Sequence, residues 1–221
     1  PQAFIDPYMG TYDEGWDAIR GARQRRAAAL GVIPPDVAMV GMPTTGDWQA
    51  LDADQRRYEA KRMAVYAGMV EAMDHHIGRL VSYLKSQVQF DNTIFIFASD
   101  NGAEASGPAD PSAFINRQQT RSLGYQTDYE TLGLKGSYNT ISPSFASAAV
   151  SPLAYYKFYA GEGGMRVPLI VAGESLPQQG VLSDAFTFVT DITPTILSLA
   201  GVQPPDGRYG GRPVEAMIGR D

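Results

Sequence analysis

Cysteine is absent from this 221-residue chain. Its own residues therefore form no disulfide, zinc–thiolate site or thiol nucleophile. Histidine is almost absent. His75 and His76 stand side by side and are too few for a histidine-rich metal cluster. No run of about 18 apolar residues is present, so no transmembrane helix is expected. Positive charge is scarce too: 18 Lys and Arg face 24 Asp and Glu, a formal net charge of −6. That balance argues against a nucleic-acid partner. The densest basic run, "RQRR" at Arg23–Arg26, suits a solvated helix face. The chain opens on Pro1 rather than methionine, so targeting is not legible there and the compartment (periplasmic, secreted or cytoplasmic) stays open.

What is present is the composition of a globular protein, 44% hydrophobic and 10% aromatic, long enough for one large domain. "GTYDEGWDAIRGARQRRAAALGVIP" reads as a turn and a helix, with Gly31 as C-cap and Pro34-Pro35 forbidding continuation. Val37 to Asp47 reads as an irregular loop. Met63, Tyr66, Val70, Met73, Ile77, Leu80 and Leu84 recur at steps of three and four. They predict one stripe of a long helix, from Asp54 to about Ser86, able to cover a sheet face. His75 and His76 fall on its flank or outside, as surface residues. Ile94–Ser99 and Val167–Gly173 are apolar without alternation, as interior strands of a parallel sheet are. Gly102 to Pro152 has little periodicity, and a long irregular insertion loop is expected over 103–152. "TDITPTILSLAGV" reads as a helix capped by Thr190 or Asp191, with Pro194 in its first turn and Gly201 at its end. The expected fold is α/β, a mostly parallel sheet flanked by helices.

The strand "NTIFIFA" stops abruptly at Asp100, Asn101 and Gly102. In open α/β sheets, ligands collect beyond the carboxyl ends of strands. A carboxylate and an amide oxygen are hard donors suited to calcium or magnesium, and Gly102 lets the backbone turn away. The same residues also make an ordinary strand-ending turn. From these three positions alone both readings stand. Further on, Lys157 sits among Tyr155, Tyr156 and Tyr159, just ahead of "GEGG". A compact ammonium there suits an anionic oxygen; a lysine snorkelling at the surface is the plain alternative.

Together these stretches resemble the type I sulfatases, the arylsulfatase branch of the alkaline phosphatase superfamily. "YAGMVEAMDHHIGRLVSYLKSQVQFDNTIFIFASDNGAE" is similar to that family's long helix, core strand and metal-binding Asp-Asn-Gly. "YKFYAGEGGMRVPLIV" resembles its sulfate-lysine segment, and "TDITPTILSLAGV" the helix that follows. The resemblance implies that Asp100 and Asn101 are calcium ligands. It implies that Lys157 binds a sulfate oxygen and stabilises charge on the transferring group. Glu162, Gly163, Gly164 and Arg166 would shape the adjoining loop, and Lys135 in "GLKGSY" is a further candidate for substrate contact. The implied substrate is a sulfate ester, either a small molecule or a sulfated glycan.

Some of the family pattern is missing. The formylglycine nucleophile arises from Cys or Ser in a Cys/Ser-x-Pro-x-Arg motif, and this chain has neither version. The nearest approach, "SGPAD" from Ser106, carries Asp110 where arginine belongs. The early Asp-Asp pair and the mid-chain histidine are missing as well. The chain is accordingly expected to be an incomplete part of one catalytic domain, 1–221, inactive alone, with formylglycine in the missing N-terminal part and calcium weakly held. It is also expected to expose apolar surface and to self-associate. Two alternatives remain: a phosphonate or phosphodiester hydrolase of the same superfamily, and a non-catalytic binding module on a degenerate sulfatase fold.

Overall fold

Residues 1–105, 118, 120, 122–205 and 207–221 are described by the structure, a computed structural model. Ser106 to Asp110, the near-miss to the nucleophile motif, lies outside the described residues. Two compact units follow one another along the chain, residues 1–179 and 180–221.

The first unit begins with a short helix α1 (Gln2–Ile5) and then α2 (Trp16–Ala29). Gly15 at the head of α2 has φ 85°, and a Cβ there would stand 2.4 Å from the Trp48 ring, so both backbone and space demand glycine. At the other end Gly31 has φ 73° and donates to Ala28 O at 3.0 Å, the left-handed stop expected from the sequence. Trp16, Trp48 and Phe145 meet edge-to-face, with ring centroids 4.8 and 5.6 Å from Trp16. They centre a core that also holds Met63, Ile141 and Tyr156.

The long helix α3 spans Ala53–Ser86 and is started by a full capping box: Asp52 accepts from Gln55 N, and Gln55 accepts from Asp52 N. Its buried residues are Ala60, Arg62, Met63, Ala64, Val65 and Gly68. The apolar stripe predicted to cover a sheet continues along the helix, but Met73, Ile77 and Leu80 are exposed. Small residues decide which face packs. A Cβ on Gly68 would lie 2.7 Å from Phe4 O, so α1 crosses α3 where no side chain intervenes. His75 and His76 are exposed, as expected.

Strand β1 (Phe95–Ala98) pairs with β2 (Leu169–Ala172) in the register Phe95↔Ala172 to Ala98↔Leu169, and the pairing is antiparallel. Every named strand pair among the described residues runs this way, and the one parallel contact is an isolated bridge, Gln126↔Ser137. The mostly parallel sheet expected from the sequence is therefore not found here. Nor are the two strands interior as expected: β2 is exposed along its whole length and Phe97 of β1 is exposed as well, so their apolar runs find no cover among the described residues, and their direction follows the chain's path. Residues 157–168 double back over the end of β1. Within the stretch expected to be irregular, Ser142–Val150 forms a helix, α4, whose Phe145, Ala146 and Ala148 are fully buried.

In the second unit, α6 (Val189–Leu199) follows an extended stretch, and a hairpin pairs β3 (Arg208–Tyr209) with β4 (Arg212–Pro213). Asp191, one of the two candidate caps, accepts from Phe188 N at 2.8 Å and Arg220 N at 2.9 Å. These two bonds, the first foremost, hold its carboxyl below the ordinary value of 3.8. A depressed folded-state value means the bonds stabilise at pH above the unfolded value and are lost as pH falls through the folded one. Protection of the Phe188 and Arg220 amides from exchange, taken relative to the intrinsic rate at each pH, is thus expected to be present at neutral pH and to be lost in acid, and Asp191→Ala should abolish that acid step.

Candidate functional site

The site grows from the crossing of two turns. Beyond β1 the ladder extends to Ser99, whose N–H donates to Pro168 O at 3.4 Å. Ser99 Oγ donates to Asn101 O at 2.7 Å, and Asn101 Nδ2 donates to Gly102 O at 2.9 Å. The Asp-Asn-Gly turn is thereby closed on itself. Gly102 N then donates to Gly164 O at 2.9 Å. A Cβ on Gly102 would fall 1.8 Å from Gly163 O, so only glycine permits the contact.

The second turn is the "GEGG" segment, whose short helix α5 covers Glu162–Met165. Gly163 N donates to Ala154 O at 2.8 Å, and a Cβ on Gly163 or Gly164 would lie 2.2 Å from Tyr155 O or 2.3 Å from Tyr159 O. Both glycines are tight backbone crossings beneath the loop that carries Lys157. Arg166 reaches Glu162 at 3.3 Å on the exposed side. These residues thus lie where loop-shaping residues are expected.

Lys157 is brought beside the first turn by two contacts. Its N–H donates to Ala103 O at 3.1 Å, and its Nζ meets Glu104 Oε2 at 2.7 Å, both side chains about one-third exposed at 34% and 35%. The Glu104 hydrogen bond, then the Glu104 charge, hold the ammonium above its ordinary value of 10.5, with smaller help from Asp100 and Tyr138 and partial burial opposing. A raised value means the pairing is intact at neutral pH and is lost as pH rises through the folded-state value. An ion pair this exposed adds little stability; its effect is to fix the position of the ammonium.

Asp100, Asn101 and Lys157 are thus gathered around one crossing. Glu104 and Tyr138 are additions that sequence reasoning missed. Glu104 closes the very stretch that drew attention, and a carboxylate just beyond Gly102 was the available signal. Lys135 is exposed. The donor chemistry suits a hard cation: Asp100 brings a carboxylate, and Asn101 spends its amide nitrogen on Gly102 O, which leaves Oδ1 as an acceptor. No group of three or more His, Cys, Asp or Glu suited to a metal occurs among the described residues. The set fits calcium in kind and falls short of the roughly six to eight oxygens it takes. No helix among the described residues is long and apolar enough to cross a membrane.

A profile of the sulfatase family matches residues 2–202. An uncharacterized sulfatase of Schizosaccharomyces pombe is 38% identical over 222 aligned residues, covering 100% of this chain and 40% of its own length. An arylsulfatase of Klebsiella aerogenes is 31% identical, covering 99% of this chain and 46% of the enzyme. A multifunctional alkaline phosphatase superfamily protein of Trinickia caryophylli is 28% identical over 66% of the chain and 20% of its own length. The chain therefore spans less than half the length of any of these three relatives.

Proposed function

This chain belongs to the sulfatase family, and on that premise we propose that it contributes part of the site of a sulfuric ester hydrolase. The observation that carries the reading is the placement of the Lys157 ammonium, by Ala103 and Glu104, beside the Asp100–Gly102 turn. Hydrolysis cleaves the ester's S–O bond, adds water across it, and releases an alcohol and sulfate. Negative charge must be held on the sulfate oxygens and on the departing oxygen while that bond breaks.

Lys157 supplies one fixed positive charge for this, donating to a sulfate oxygen. Glu104 orients Lys157 before substrate arrives. Asp100 and Asn101 would hold calcium, which when bound offers a Lewis acid to a sulfate oxygen. The chain lacks a Cys/Ser-x-Pro-x-Arg segment, so the formylglycine nucleophile belongs to residues beyond this chain. The substrate class is a sulfate ester, small molecule or glycan. A phosphonate or phosphodiester hydrolase of the same superfamily would use the same cation and metal ligands and is the alternative.

The test is turnover. The pure 221-residue chain is expected to release no phenol from 4-nitrophenyl sulfate, whereas the longer enzyme containing it hydrolyses the sulfate faster than the matching phosphate esters. Turnover by the chain alone would refute the assignment of the nucleophile, and a preference for phosphodiesters would move the activity to the neighbouring class.

A further inference from the structure

Next to Lys157 in the chain stands an exposed aromatic residue, Phe158. Phe158 is 74% exposed and has φ 79°, in the left-handed region that bulky residues seldom adopt. Tyr155, on the other side of Lys157, has φ 63°. Glycine is plentiful just downstream, at Gly161, Gly163 and Gly164, yet the two positions that would suit glycine carry aromatic side chains. The loop therefore holds a ring toward solvent in a backbone state that disfavours it, and no packing gain is visible in return.

The neighbouring tyrosines do not behave this way. Tyr155 stacks on Tyr159 with centroids 4.8 Å apart, and Tyr156 meets Tyr159 edge-on at 5.3 Å. Tyr156 is buried in the core. Among the described residues Phe158 has no such partner ring. Its one ring contact is with the lysine: Nζ lies 5.3 Å from the ring centroid, within cation–π range. The ammonium thus has Glu104 as one neighbour and an open aromatic ring as another.

We propose that Phe158 is a specificity-determining residue, a stacking platform for the aromatic ring of an aryl sulfate whose sulfate group Lys157 holds. The proposal rests on the reading of Lys157 as the sulfate-binding residue. An oxygen bound to Nζ places the ester beside Phe158, and offset or edge-on stacking tolerates centroid separations of about 4.5–7 Å. A ring there would remove apolar surface from water on both partners. An alkyl sulfate would gain the charge contact without the stacking. Selectivity for the organic group would then come from Phe158 and affinity for the anion from Lys157.

The experiment compares two probes on the full 221-residue chain. Dissociation constants for 4-nitrophenyl sulfate and methyl sulfate are measured by NMR titration of the Lys157 and Tyr159 amides, in the wild-type chain and in Phe158→Gly, Phe158→Leu and Lys157→Ala. Glycine is at ease at φ 79°, so Phe158→Gly keeps the loop's backbone path, and Phe158→Leu keeps apolar bulk without the ring. The wild-type chain is expected to prefer the aryl ester by about tenfold, the range that a stacked ring with its burial supplies. In Phe158→Gly the preference should fall below about twofold, through weaker binding of the aryl ester rather than tighter binding of methyl sulfate, with Phe158→Leu in between. A wild-type chain without preference, or a preference that persists in Phe158→Gly, overturns the platform. Failure of the lysine reading has a separate signature: Lys157→Ala would bind both esters as tightly as the wild type.

Discussion

Replacing Arg62 with alanine is expected to cost the first unit about 3–5 kcal/mol, the penalty of leaving a buried ion pair's partner uncompensated. Arg62 is 2% exposed. Its Nε donates to Thr140 O and its Nη2 to Thr140 Oγ1, both at 2.6 Å, and its Nη1 meets Glu59 Oε1 at 2.7 Å. The Arg62 carbonyl in turn accepts from Asn139 Nδ2 at 3.0 Å. One side chain thus ties α3 to the segment that feeds α4, and α4 carries Phe145 into the core beside Tyr156, next in sequence to Lys157. Glu59 Oε2 already lacks a partner in the described structure, so removing the guanidinium leaves that carboxylate still more poorly satisfied. Urea unfolding measures the loss. Because domains are stable by only about 5–15 kcal/mol, a deficit of this size should show as a clear drop in the urea midpoint. Arg62→Met with Glu59→Gln should recover part of the loss, since the unpaired charge is then gone. A single-variant loss below about 1 kcal/mol would mean that the anchor is a surface pair in energetic terms.

In the proposed sulfatase of which this chain would form part, Lys157→Ala is expected to lower kcat/KM for an aryl sulfate by roughly a hundred- to a thousandfold, the usual effect of removing one pre-placed group that stabilises transition-state charge. The loss should fall on KM as well as on kcat, because the sulfate oxygen that Lys157 holds is already charged in the bound ester and the charge to be stabilised grows as the S–O bond breaks. Lys157→Arg is expected to rescue poorly: the guanidinium is a planar fork, and the pairing with Glu104 positions a compact ammonium. Glu104→Gln should have an intermediate effect, keeping the lysine and loosening its placement. Steady-state kinetics with 4-nitrophenyl sulfate separate the three. A Lys157→Ala enzyme within twofold of the wild type would remove Lys157 from the chemistry.

Legibility in the sequence followed the range of the interaction. The α3 start was close to readable because Asp52 and Gln55 act within one turn, and Gly31 marked its helix end for the same local reason. The stripe through Met73, Ile77 and Leu80 was readable as a periodicity; which face packs was not, since that depends on α1 meeting Gly68. The two strands were visible as apolar runs, but their antiparallel pairing depends on the path of residues 157–168. At the candidate site, Asp100, Asn101 and Lys157 stood out by their chemistry, and the roles expected of them came from resemblance to a family pattern. Glu104 was not, because its pairing with Lys157 exists only once Gly102 and Gly164 have crossed. Arg62 carries no local mark of its burial, which depends on Thr140 arriving from far along the chain. The left-handed backbone at Tyr155 and Phe158 runs against residue preference, so no propensity argument would find it.

The claim that the Asp-Asn-Gly turn and Lys157 form one site is tested most directly by an NMR titration of the Lys157 side-chain ammonium in the 221-residue chain. The wild-type ammonium is expected to titrate above 10.5, with Glu104→Gln lowering the value most and Asp100→Asn lowering it less. An ammonium that titrates identically in all three proteins would place Lys157 away from that turn and contradict the assignment.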